Sequence, residues 1–143
     1  MPEPEPKALR WGDLAEGMAG VVEFTVTEAE MRAFAALSGD HNALHRDDAF
    51  ARGKGFEGRL VYGGLLVAKV SRLIGMELPG ADGLWTGLSL RFLKPLYVGE
   101  AARLEGTVAH LSPATRNVTL KLAVRSAGRL IAKGTAEVLL GAS

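Results

Sequence analysis

Residues 63 to 77, GGLLVAKVSRLIGME, constrain the fold more than any other stretch. At helical spacing Leu65, Leu66, Val67, Ala68, Val70, Leu73 and Ile74 cover most of the circumference. A helix that is apolar nearly all round must be covered on several sides, and this one is too short to be covered by a bilayer. The cover therefore has to come from the rest of the chain. Directly after the turn cluster LPGADG, the apolar period changes from 3.6 to 2. In NVTLKLAVRS, Val118, Leu120, Leu122 and Val124 alternate with Asn117, Thr119, Lys121 and Arg125. LWTGLSLRFL, ARLEGTVAHL and LIAKGTAEVLL are further strand candidates, with SPAT and SAG as short turns. The spacing predicts a four-strand antiparallel meander, to which VVEFTV (21–26) adds a fifth strand. The fold class is α+β, with the apolar helix lying across the apolar face of the sheet.

The 143 residues, 48% apolar and 23% charged, suffice for one globular domain over 1–143 with a real core. Its proline- and glutamate-rich start, residues 1–10, is expected to be flexible. TEAE (27–30) has the form of a capping box, opening a helix that runs to residue 38. Between that helix and the apolar one lies a long, glycine-broken excursion with a short helical turn at 49–51, and excursions of this length inside a domain tend to carry function.

Charge and composition narrow the function. Seventeen basic against sixteen acidic residues, with no basic block, argue against nucleic acid and membrane surfaces as partners. The absence of cysteine removes disulfides and thiol catalysis. The start lacks the pattern of a secretory leader and no apolar run reaches spanning length, so the expected location is the cytoplasm.

The excursion opens with SGDHNALH (38–45). Asp40 and His45 are five apart, off any helical repeat, with turn-formers Gly39 and Asn42 around them, so the segment reads as a loop bending two titratable groups toward one point. Taken alone, the same residues also fit duller roles: Asp40 capping a turn, His45 a satisfied loop histidine, Asn42 a turn-former. Ser71 could bond back along its helix, and Gly63 and Gly64 could serve only the entry into theirs.

FAALSGDHNALHRDDAFA, followed by FEGRLVYGGLLVAKVSRLIG and LWTGLSLRFLKPLYVGE, resembles the MaoC-like, R-specific enoyl-CoA hydratase family. The likeness extends over nearly the whole chain after residue 20. It implies the hot-dog fold, a curved antiparallel sheet wrapped round a central helix, and a homodimer. It implies hydration of trans-2-enoyl thioesters to (R)-3-hydroxyacyl thioesters, or the reverse dehydration. The family's catalytic pair falls on Asp40 and His45, its oxyanion-binding amide on Gly63, and a supporting serine on Ser71, with Asn42 a structural support. No separate cofactor is implied, because coenzyme A or acyl carrier protein is part of the substrate. Two positions depart from the family's pattern: Ala43 stands where proline is usual, and Tyr62 where histidine is usual. Tyr62, next to the oxyanion glycine, is expected at the thioester end of the site as a substrate-binding group. A hot-dog thioesterase and a non-catalytic acyl-thioester binding module are the alternatives.

Overall fold

A computed structural model describes residues 2–141. Five strands, β1 (Ala19–Thr25), β2 (Gly83–Phe92), β3 (Ala101–Ser112), β4 (Asn117–Ser126) and β5 (Arg129–Leu140), form one antiparallel sheet in the order β1-β3-β4-β5-β2. Helix α1 (Glu28–Ser38) follows β1. Two short helices, α2 (Ala43–Arg46) and α3 (Asp48–Gly53), lie in the excursion, and α4 (Gly63–Arg72) continues as a π-helical turn over Leu73–Glu77. This is the hot-dog arrangement expected from the family likeness.

Period-2 patterning decides which face of the sheet is covered. Val118, Leu120, Leu122 and Val124 of β4 are each at most 1% exposed, and they join Leu104 and Val108 of β3 and Ala136 and Val138 of β5 in one core. Leu65, Leu66, Val70, Leu73 and Ile74 bring the central helix into the same cluster. Contact is close where the π-helical turn crosses β1 and β3. A β-carbon on Gly106 would lie 2.5 Å from Leu73 Cδ2, so a bare backbone is needed there.

Three expectations need correction. The meander comprises β3, β4 and β5 only, because β2 pairs with β5, from Gly83 opposite Leu140 to Phe92 opposite Ala132. Eight residues, 93–100, separate β2 from β3, too many for the tight hairpin that would have paired them. They begin by returning to β5, where the amides of Leu93 and Lys94 both donate to the Ile131 carbonyl (2.8 and 3.1 Å). Second, the SGDHNALH segment is not wholly loop, for His45 sits on α2. Third, the start is tied down from Lys7: its amide donates to the Met76 carbonyl, and the Leu9 amide to that of Pro79. Gly80, at φ +94°, admits this approach, since a β-carbon there would fall 1.9 Å from the Lys7 carbonyl oxygen.

The capping box forms as expected. Thr27 accepts from the Glu30 amide (3.2 Å), and Glu30 accepts from the Thr27 amide (3.2 Å). Beyond the cap, Glu30 reaches Lys69 on α4 (2.7 Å), and that ammonium lies 5.5 Å from the centre of the Phe24 ring. This bond fixes α1 against the central helix. It also occupies Lys69, which is therefore not a free surface cation.

Candidate active site

The path from α1 to α2 is set by short-range chemistry. Gly39 ends α1 at φ +75°, the left-handed conformation glycine adopts without strain, and its amide donates to the Ala35 carbonyl. The Ser38 hydroxyl donates to the Phe34 carbonyl (2.7 Å) and accepts from the Asp40 amide (3.1 Å). Asp40 then accepts the Asn42 amide on Oδ1 (3.0 Å), and Asn42 accepts the Leu44 amide on its own Oδ1 (2.9 Å), capping α2. Asn42 is thus a scaffold residue. Ala43 occupies the first helical position after that cap, where a proline ring would fit without losing a helical bond, which accounts for the usual proline there. Of the Asp40 carboxylate, Oδ2 takes no hydrogen bond from the described residues, and the side chain is exposed.

Half-buried His45 is held from behind. Its Nδ1 lies 2.8 Å from the Leu60 carbonyl oxygen. A carbonyl only accepts, so Nδ1 carries a proton, and Nε2 is the nitrogen left free to face the site. The Leu60 amide in turn donates to the Leu44 carbonyl (3.0 Å), locking the two segments together. Nothing in the sequence pattern marks Leu60, because it works entirely through its backbone.

Tyr62 is turned inward, with the residue 1% exposed. Its hydroxyl donates to the Asp40 backbone carbonyl (2.7 Å), and its ring stacks on His45 with centroids 4.1 Å apart and planes 26° apart. The Phe34 ring packs beside it, at 4.7 Å. Burial, and after it the Asp40 charge, push the phenol above its ordinary range near 10, while Arg46 partly opposes them. Tyr62 stays protonated at neutral pH and acts as a donor.

Gly63 follows immediately, the first residue of α4. Amides in the first turn of a helix have no intrahelical acceptor and sit at the positive end of the dipole. The space round this turn is crowded: a β-carbon on Gly63 would stand 3.0 Å from Phe92 Cζ, and one on Gly64 2.2 Å from Phe34 Cζ. Close packing under the Phe34 ring therefore demands glycine at 64, while at 63 a β-carbon would require the exposed Phe92 ring to give by a few tenths of an ångström. Gly63 lines an apolar cavity of about 290 Å³ with Leu66, Phe92, Leu93, Leu96 and Ile131. His45 and Tyr62 line a different one of about 250 Å³, beside Met31, Ala35, Arg46 and Arg59. Asp40 lines neither. Ser71 is exposed two helical turns beyond Gly63, roughly 12 Å along the axis, and no hydrogen bond joins it to the pair. One chain thus brings Asp40, His45, Asn42, Tyr62 and the start of α4 together and leaves Ser71 apart.

Arg59 completes the surroundings. Its guanidinium takes the Glu28 carboxylate with two nitrogens, one contact at 3.1 Å, and its Nε lies 3.7 Å from Asp48 Oδ1. Arg59 thereby lowers the ionisation range of Glu28. Among the described residues there is no group of three acidic, histidine or cysteine side chains placed to hold a metal ion.

Comparison with known proteins agrees with this geometry. Residues 14–126 match the model of the MaoC like domain. An (R)-specific enoyl-CoA hydratase of Aeromonas caviae is 41% identical over 104 residues, 73% of this chain and 78% of that protein. A protein of the same name from Rhodospirillum rubrum is 30% identical over 130 residues, covering 91% and 90%. The solved structure described as the (R)-hydratase from A. caviae involved in PHA biosynthesis superposes with a TM-score of 0.86 at 37% identity, over 90% of this chain and 98% of that one. With its hot-dog sheet, its central helix and the SGDHNALH turn in place, the chain belongs to the MaoC-like domain family.

Proposed function

We propose that this chain is a hydro-lyase that adds water to a trans-2-enoyl thioester to give an (R)-3-hydroxyacyl thioester, or removes it in the reverse direction. The relatives named as (R)-specific enoyl-CoA hydratases support the reaction class and its stereochemistry. The observation that carries the role of these residues is the orientation of His45: with Nδ1–H spent on Leu60, Nε2 is the nitrogen left to exchange a proton with water. Asp40, with Oδ2 unengaged, shares that water. The water oxygen bonds to carbon 3, and the proton it gives up passes through the pair to carbon 2. The negative charge that gathers on the thioester oxygen meanwhile is met by the Gly63 amide. Protons and electrons balance without a metal or redox group, and coenzyme A or a carrier arm remains attached throughout.

The working unit in this reading is a pair of chains joined along β2. That strand is an edge of the sheet, and Leu88 and Phe92, although they share the inner face with buried Ala136 and Ala132 of β5, stay 37% and 52% exposed. A second copy would cover them. It would also close the region round Gly63, where the Phe92 ring lies.

Incubation with crotonyl-CoA tests the reaction. Loss of the enoyl absorbance without release of thiol, and a 3-hydroxybutyryl product of R configuration, are expected. Thiol release without hydration would point to a thioesterase, neither signal to a binding module, and an S product would refute the facial assignment. Sedimentation showing only monomer at full activity would refute the paired unit.

A further inference from the structure

We propose that Tyr62 is a positioning residue that holds Asp40 and His45 in one reactive geometry, an inference that rests on the assignment of those two as the pair acting on water. Three links meet on this side chain. The hydroxyl grips the Asp40 carbonyl at 2.7 Å, fixing the backbone from which the carboxylate hangs. The ring face lies against the His45 imidazole at 4.1 Å, restricting rotation of the ring whose Nδ1 is already pinned to Leu60. Its own backbone leads straight into Gly63, so the element presenting the amide is joined to the element presenting the pair.

Few other bonds could do this work. Asp40 is exposed, and its remaining hydrogen bonds, to Ser38 and Asn42, are local turn contacts that do not themselves reach α4. The Tyr62 hydroxyl is the hydrogen bond that ties that turn to the central helix. Tyrosine suits the position because the phenol reaches past the stacked imidazole to the carbonyl, with the buried ring also packed against Phe34. Tyr62 touches neither water nor thioester; it acts through the two residues that do.

The test is a double-mutant cycle with crotonyl-CoA, using the whole chain in its native assembly and thermal unfolding to confirm folding. Tyr62→Phe keeps the stack and removes only the grip on Asp40. It should lower kcat about tenfold, the loss of one well-placed hydrogen bond, with KM changed less than about twofold. Tyr62→Leu removes both links and should cost about a hundredfold in kcat. The decisive comparison is Tyr62→Phe in an Asp40→Asn background: if Tyr62 works by placing the carboxylate, the double variant should turn over within about twofold of Asp40→Asn alone. A purely structural tyrosine would instead lower both backgrounds by the same factor. That result, or wild-type kcat in Tyr62→Phe, overturns the positioning role while leaving the proposed reaction in place. Full turnover by Asp40→Asn would overturn the assignment of Asp40 to the reacting pair, and this inference with it, with the reaction itself still in place.

Discussion

The sheet with its central helix and the excursion from Gly39 to Tyr62 are held together in opposite ways. In the sheet, cohesion is continuous: backbone ladders run the length of β3, β4 and β5, and the side chains between them and α4 are almost wholly buried. In the excursion most side chains are exposed, and position depends on a few separate bonds: Tyr62 to Asp40, Leu60 to His45, and Arg59 to Glu28 and Asp48. Removing a contact from the first region should reduce stability and spare chemistry. Removing one from the second should do the reverse, because a rate depends on placement that contributes little to the folding free energy.

The largest effect should come from the sheet. Leu122→Ala empties a site 1% exposed on the central strand and should cost about 2 to 5 kcal/mol, read by denaturant or thermal unfolding, with the rate per folded molecule unchanged. Asp40→Asn and His45→Gln should each lower kcat by about a hundredfold while shifting stability by roughly 0.5 kcal/mol or less. Because both side chains act on one water, the double variant should be little slower than the poorer single one. If either single variant lost stability on the scale of Leu122→Ala, the division between the regions would fail.

Ala43→Pro sharpens the comparison from the other side. The preceding residue, Asn42, has φ −60° and ψ 133°, which a following proline accepts, and the change should add about 0.4 to 1 kcal/mol by restricting the unfolded chain, with kcat intact. The smallest effect concerns acid. Arg59 holds the Glu28 carboxyl, and Lys69 the Glu30 carboxyl, below their ordinary range. A carboxyl with a depressed folded pKa contributes stability that is present above its unfolded value of 4.5 and is lost as pH falls through the folded value. Thermal melts from pH 7 to pH 3 should therefore fall less steeply in a Glu28→Gln, Glu30→Gln variant than in the parent. The difference should be modest, since Glu28 and Glu30 are both partly exposed.

What was legible in the sequence follows the same division. Alternation in Val118 to Val124 and the Thr27–Glu30 box come from physics that acts within a few residues, and both are found as read. The apolar helix is covered at Leu65, Leu66, Val70, Leu73 and Ile74, but Ala68 is exposed and Val67 half-buried, so it is covered on one side and not all round. The pairing of β2 with β5 was not legible, because strand patterning shows which face is buried but not which neighbour is chosen. In the site, Asp40 and His45 stood out by residue type and spacing. Leu60 contributes only a carbonyl, so its identity carries no trace of its role. Tyr62 was visible as a departure from the family's pattern, but its adjacency to Gly63 along the chain suggested a substrate contact, whereas its side chain turns back to Asp40.

The Arg59–Glu28 pair joins residues 31 apart in the chain and so acts as a clasp on everything between them. Between its ends lies the exposed turn at Lys54 and Gly55, with Gly55 at φ +95°. A chain opened at that turn would keep its two new ends in register, one side carrying Glu28 and Asp48 and the other Arg59, with Tyr62 still gripping Asp40 across the gap. A cut or an inserted segment at the tip of the excursion should therefore be tolerated, with the turnover of the nicked chain as the measurement. Topologically, the site belongs to a closed ring of contacts more than to a continuous run of chain.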